Sequence, residues 1–132
     1  MADTFKLIEK DSLRANDGGF EFLVHLNWYR SLPLSCVVDL RVKVDGVEID
    51  PQVISFGING HAYPLADLEN HFDEFWFIQD GARVIVAQPG LVAVGETHEV
   101  WVETSVFAPY IPIGPGKFLT VTSNLSSTQV AA

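Results

Sequence analysis

Three dipeptides, Asp45-Gly46, Asn59-Gly60 and Asp80-Gly81, interrupt runs in which apolar and polar residues alternate. A two-residue type I′ turn needs positive φ at both central positions, which Asx-Gly tolerates, and its twist matches that of paired antiparallel strands. Each dipeptide therefore reads as a hairpin. Before the first, CVVDLRVKV sets Cys36, Val38, Leu40, Val42 and Val44 inward and Asp39, Arg41 and Lys43 outward. FEFLVHLNWYR sets Phe20, Phe22, Val24, Leu26 and Trp28 on one face and leaves His25 on the polar one. Residues 53–57 lead into Asn59-Gly60, and FWFIQ and ARVIVAQ flank Asp80-Gly81. Residues 4–13 read as a charged edge strand. Only residues 65–72 show helical spacing, too short for more than a turn or two. After Pro115-Gly116, FLTVT is the last expected strand, with residues 123–132 as a frayed polar tail. Short strands at regular intervals with almost no helix predict an all-β chain, an antiparallel sandwich of eight or nine strands in a single domain over residues 1–132.

Residues 98–113, HEVWVETSVFAPYIPI, combine a strand with a surface. Val100, Val102 and Val106 fall on one side, while Glu99, Trp101, Glu103 and Phe107 fall on the other. A tryptophan between two outward glutamates has no evident use within the chain. Pro109 and Pro112 then flank Tyr110 and Ile111, and neither proline donates a ladder hydrogen bond. An extended exit with large side chains held out at low entropic cost suits a contact surface. Trp101, Phe107, Pro109, Tyr110, Ile111 and Pro112 are therefore the expected interface, the competing use of Tyr110 and Ile111 being to plug the end of the sandwich.

Composition narrows the partners and the chemistry. Eight Lys and Arg against 17 Asp and Glu give a net charge of -9, with no basic patch, so nucleic acid is not an expected partner. The single cysteine, Cys36, rules out an internal disulfide and a cysteine-based zinc site, which suits the cytoplasm. No signal-like start and no membrane-spanning run is expected. The four histidines lack metal-ligand spacing, so no metal is expected in this chain. His61 and His71 bracket the helical turn beside Glu69, Asp73 and Glu74, and with Trp76 they form a candidate substrate-side loop. Glu99 and Glu103 share a face but sit roughly 13 Å apart along a strand, too far for a glycosidase pair. With no nucleophile motif and Cys36 on an inward face, no catalytic residue is expected here.

The order ING-HAYPLADL, FWFIQDGARVIVAQPGL and VGETHEVWVETSVFAPYIP resembles the small β-subunit family of bacterial C-glycoside deglycosidases. Gly60, Tyr63, Leu65, Leu68, Trp76, Ala82, Val84, Gly90, Leu91, Gly95, His98, Val100, Tyr110 and Pro112 carry the likeness, which covers the central and C-terminal half. It implies a β-sandwich bound to a larger TIM-barrel alpha subunit that holds a divalent metal, typically manganese, and the catalytic base. It also implies cleavage of the carbon–carbon bond between a 3-oxo sugar and a flavonoid-type aglycone by elimination, a lyase reaction, with this chain non-catalytic and a higher-order heteromer open. A stand-alone carbohydrate-binding module, with Trp76, Trp101 and Tyr110 stacking sugars, and an assembly protein without sugar chemistry are the competing readings.

Overall fold

A computed structural model of the chain describes residues 7–26, 31–77 and 80–132; for residues 109, 110, 112 and 118 the backbone alone is described. The strands are β1 (Arg14–Asn16), β2 (Gly19–Val24), β3 (Leu32–Pro33), β4 (Val37–Val44), β5 (Val47–Glu48), β6 (Ile54–Ile58), β7 (His61–Pro64), β8 (Phe75–Trp76), β9 (Ala82–Val86), β10 (Thr97–Gly114) and β11 (Lys117–Val130). Short 3-10 turns occupy Leu34–Cys36, Pro51–Val53 and Leu65–Asn70. The expected antiparallel sandwich is present. A five-stranded sheet in the order β1-β2-β9-β6-β7 and a four-stranded sheet in the order β11-β10-β4-β5 share one core, with β3 and β8 as a small extra pair. Phe20, Phe22, Val24, Phe56, Val84 and Val86 supply one inner face, and Leu40, Val42, Val44, Val100, Val102 and Val106 the other. Each such side chain contributes about 1.5–3 kcal/mol when fully buried.

Two of the three turn dipeptides act as read. Asp45 and Asn59 take φ of 52° and 53°, with Gly46 and Gly60 at 84° and 81°, closing the β4–β5 and β6–β7 hairpins. The third does not join FWFIQ to ARVIVAQ. β9 has β2 on one edge and β6 on the other, Val84 facing both Phe22 and Phe56, so no edge is left for β8. β8 pairs with β3 instead, Leu32 opposite Trp76. Gly19 locks the β2–β9 contact: at φ 146°, a Cβ there would lie 1.9 Å from the Val86 carbonyl oxygen.

Three further expectations are corrected. Within residues 7–13 the expected edge strand reduces to one bridge, Ile8 to Val24, because Asp11 takes a φ of 58° and turns the chain. Val38 points out, 55% exposed, and Val37 points in. Ser105 faces Asp39 while Val106 faces Val37, so Val38 is the extra residue of a β-bulge that resets the alternation. The tail is not frayed: β11 pairs with β10 from Leu119 to Val130, and the main chain of Ala131 and Ala132 bonds to Glu96, Gly95, Leu13 and Ala15. A partner strand supplied by β10 outweighs the low apolar content of residues 123–128. The inward place read for Trp28 falls outside the described residues.

The sandwich has two distinct ends. The Asp45-Gly46 turn, the start of β10 and residues 131–132 meet at one, called the closed end. The start of β4, the Asn59-Gly60 turn, residues 71–77 and the β3–β8 pair gather at the other, the open end, where Leu34 N–H donates to the Glu74 carbonyl and Asn59 Nδ2 to the Phe75 carbonyl.

Candidate functional site

Beyond Val106, which faces Val37 at the start of β4, strand β10 pairs with β11 alone among the described residues, with Phe107 still against the core, Ala108 buried and the 34–36 turn close by. The two strands form an arm projecting past the sheet. In the arm, Ala108 pairs with Leu119 and Pro112 with Phe118, so residues 109–111 bulge against a single step of the partner strand. Proline in two of those neighbouring positions explains the break, since neither nitrogen can donate to the ladder. Gly116, at φ 69°, turns the tip. Ile111 is half-buried and Ile113 is 64% exposed. The side chains of Pro109, Tyr110 and Pro112 lie outside the described residues.

The remaining interface candidates are less bare than their sequence suggests. Trp101 lies under two cations, Lys43 Nζ at 4.8 Å and Arg41 Cζ at 5.6 Å from its ring centre. Lys43 is its direct cross-strand neighbour, so the ring has an intramolecular partner after all. Phe107 packs against the core.

At the open end, Glu74 organises residues 71–77. Its carboxylate accepts from the Tyr63 hydroxyl at 2.5 Å, from His61 Nδ1 at 3.0 Å and from Asn59 Nδ2 at 3.3 Å. The Tyr63 and His61 bonds hold the Glu74 carboxyl below its usual range, while that carboxylate pushes the Tyr63 hydroxyl up to about 12. His71 stacks on Tyr63, ring centres 3.8 Å apart, and its Nε2 lies 2.8 Å from Asp67 Oδ2. His61 and His71 thus flank one tyrosine ring, a juxtaposition their spacing in sequence suggested. Trp76 does not join them. It is 1% exposed, edge-on to Phe56 at 5.1 Å, with its indole N–H donating to the Asp80 carbonyl, so it belongs to the core. Burying Trp76 on a period of two turns its neighbours outward: Phe75 and Phe77 are 40% and 44% exposed and stack on each other, and Phe72 is 72% exposed. Sequence reading set Phe72 with Leu65 and Leu68 on one side of the helical turn, whereas it faces solvent, and passed over Phe75 and Phe77, although the alternation FWF carried the signal.

A cleft of about 480 Å³ opens on the flank where the Val38 bulge leaves β4, between Val37, Val38, Leu40, Pro51, Leu65 and Leu68. It is largely apolar, with Asp39 its one charged lining residue.

His25 Nε2 lies 2.9 Å from Glu9 Oε1, and the closed end holds the fourth histidine. His98 Nδ1 lies 2.6 Å from Asp45 Oδ2 and its Nε2 3.0 Å from Glu96 Oε1. Asp45 also accepts from the Glu99 N–H at 2.9 Å. The Asp45 bond raises the His98 pKa and, with the Glu99 N–H leading, the Asp45 pKa is lowered. With a carboxylate oxygen on each ring nitrogen, a protonated His98 donates through both and leaves no lone pair for a metal, so the arrangement is a clamp. Cys36 is buried in the 34–36 turn, and burial raises its thiol pKa, which suppresses the reactive thiolate. Among the described residues no three His, Cys, Asp or Glu side chains converge as metal ligands, and no helix is long and apolar enough to cross a membrane.

A sequence profile of the C-glycoside deglycosidase beta subunit family matches residues 3–110, extending the likeness through the first half of the chain and stopping within the arm. The 3'-dehydrocarminate deglycosidase beta subunit of a Microbacterium species is 39% identical over 116 residues, 88% of this chain and 86% of that protein. A C-glycoside deglycosidase beta subunit of Arthrobacter globiformis is 30% identical over 119 residues, 90% of each chain. One from Microbacterium trichothecenolyticum is 30% identical over 126 residues, 96% of this chain and 95% of the relative.

Proposed function

This chain belongs to the C-glycoside deglycosidase beta subunit family, and from that premise we propose that it is the non-catalytic small subunit of a cytoplasmic heteromer, docked through the β10–β11 arm on a larger TIM-barrel alpha subunit. A beta subunit entails a partner chain. On this reading the complex cleaves the carbon–carbon bond of a 3-oxo-C-glycoside of the flavonoid type by elimination, as a lyase. A ketone beside the sugar C–H makes that proton removable by a positioned base; the electrons left behind form a carbon–carbon double bond in the sugar as the bond to the aromatic carbon breaks, and that carbon takes up a proton, so no water is consumed. The name of the Microbacterium relative, with its 3'-dehydro sugar, supports an oxidised substrate. A divalent metal, manganese on this reading, supplies ketone polarisation when bound in the alpha subunit. This chain's residues hold and orient that subunit.

The arm carries the proposal: past Val106 its strand pairs with β11 alone among the described residues, bulges at residues 109–111 and ends on the exposed Ile113. The sugar-binding module fares worse, because Trp76 is buried and Trp101 is covered by Lys43 and Arg41. Tyr110→Ala and Ile113→Asp test the arm. Each is expected to weaken alpha-subunit affinity roughly thirtyfold, about 2 kcal/mol, with the melting temperature of the lone chain unchanged. A large drop in that temperature with unchanged affinity of the folded fraction would make Tyr110 a core plug and refute the arm.

A further inference from the structure

Sheet edges attract other strands, and this chain protects most of its own. β5, β1 and β7, which border the two main sheets with β11, are two, three and four residues long; β1 carries Arg14 and β7 ends in Pro64. β11 is different. It runs 14 residues, and from Phe118 to Val130 it contains no charged residue and no proline. Its register with β10 is unbroken from Leu119 to Val130, so no bulge twists the edge away.

The phase of hydrogen bonding shows what this edge offers. Asp45 N–H donates to the Glu99 carbonyl, so the odd residues of β10 bond to β4 and its even residues bond to β11. Their partners on β11 are odd, as the bond from Ala131 N–H to the Glu96 carbonyl agrees. The peptide groups of Thr122, Asn124, Ser126 and Thr128 therefore point away from the sheet, and none of the described residues bonds to them. On the core-side row Leu125 stays 38% exposed although its partner Val102 is fully buried.

We propose that this edge binds a second copy of the same chain, two β11 strands pairing antiparallel about a two-fold axis at Leu125 and joining two four-stranded sheets into one. An axis there sets Asn124 against Ser126 of the copy and Thr122 against Thr128, hydroxyl and amide pairs suited to cross-strand contact. Leu125 meets its own counterpart. That pair is the non-hydrogen-bonded kind, with side chains closest, so the exposed leucine is covered by its copy. Moving the axis to Asn124 or Ser126 would set Leu125 against Ser123 or Ser127 instead. Charge favours the same edge: each copy carries -9, and β11 lets two such chains meet without opposing carboxylates. The inference stands on residues 122–128 of β11, level with β4 rather than in the arm, and the arm's own test reads alpha-subunit affinity.

The full chain should sediment as a dimer that tightens with added salt, because screening removes the general repulsion and no ion pair is lost. Under mild oxidation Leu125→Cys should give a covalent dimer, since Cα atoms about 4.5 Å apart across a non-hydrogen-bonded pair admit a disulfide. Ser127→Cys should not, and buried Cys36 adds no competing thiol. Asn124→Lys with Ser126→Lys puts lysine opposite lysine and should yield a monomer with the parent's circular dichroism spectrum and melting temperature. A monomer across micromolar concentrations, a dimer that survives the two lysines, or equal cross-linking at positions 125 and 127 would overturn the proposal. So would loss of the Leu125→Cys cross-link when the alpha subunit binds, which would assign the edge to that chain; its persistence in the complex supports the two-fold pairing.

Discussion

Both ends of the sandwich place histidine against carboxylate, and they use the pair in opposite ways. At the closed end the His98 side chain is 11% exposed and held between Asp45 and Glu96, while Gln129 bonds through one oxygen to the Ser12 and Leu13 N–H groups and through its nitrogen to the Glu9 carbonyl. Its exposed apolar residues, Val47, Val94 and Val130, are single valines. At the open end His61 is 62% exposed on a carboxylate that is itself largely covered. Around it the chain leaves Phe72, Phe75 and Phe77 in solvent and sends out the arm with Ile113. The closed end spends its polar groups on joining chain segments far apart in sequence. The open end spends them on holding a loop in place while apolar side chains stay uncovered, a pattern suited to a partner. Substitutions should therefore divide, with stability lost at one end and association at the other.

The largest effect should break that division in one place. Trp76 is at the open end but buried, so Trp76→Ala should cost about 3–5 kcal/mol in chemical denaturation, whereas Phe75→Ala and Phe77→Ala should each cost less than about 1 kcal/mol. Comparable costs at all three would mean that the phenylalanines belong to the core. Next comes Gln129→Ala, which leaves two buried N–H groups without their acceptor and should cost about 2–4 kcal/mol, lowering the melting temperature by roughly 10–15 °C. A drop of a degree or two would dissolve the contrast between the ends.

A pH series sharpens it further. The His98 pKa is raised, so its contribution is complete below its ordinary value of 6.5 and fades as pH climbs through the folded value. Asp45 and Glu96 are lowered, so theirs is complete above 3.8 and 4.5 and fades as pH falls through their folded values. The closed-end clamp should be strongest between about 4.5 and 6.5. Hydrogen exchange near the Asp45-Gly46 turn should rise on the alkaline side, and His98→Gln should flatten that rise; a parallel rise in residues 71–77 would show the ends to be coupled. The smallest effect is local. Tyr63 should ionise late, near 12, and Glu74→Gln should return it towards 10.0 in an ultraviolet titration with little change in stability. An unchanged titration would remove Glu74 from control of Tyr63.

How much of this was legible before folding depends on the range of the interaction involved. Alternation and Asx-Gly turns act between neighbours in sequence, so β2, most of β4 and the hairpins at Asp45 and Asn59 could be read directly, as could the prolines that free the arm from the ladder. The order of Gly60, Tyr63, Trp76, Gly90 and His98 also lies in the sequence, and it is what resembles the family. Tertiary structure alone decided which strand β8 joins, because β2 and β6 compete for both edges of β9. It decided that Val38 turns outward, since a bulge exists only relative to the partner strand β10. It decided that residues 123–130 form a strand, their own apolar content being too low to say so. It decided, finally, that Trp101 lies beneath Lys43 and Arg41 and that Trp76 is buried while its neighbours face solvent. Local preference states that a residue sits in a strand; which face is covered, and by what, follows only from pairing between segments distant in sequence.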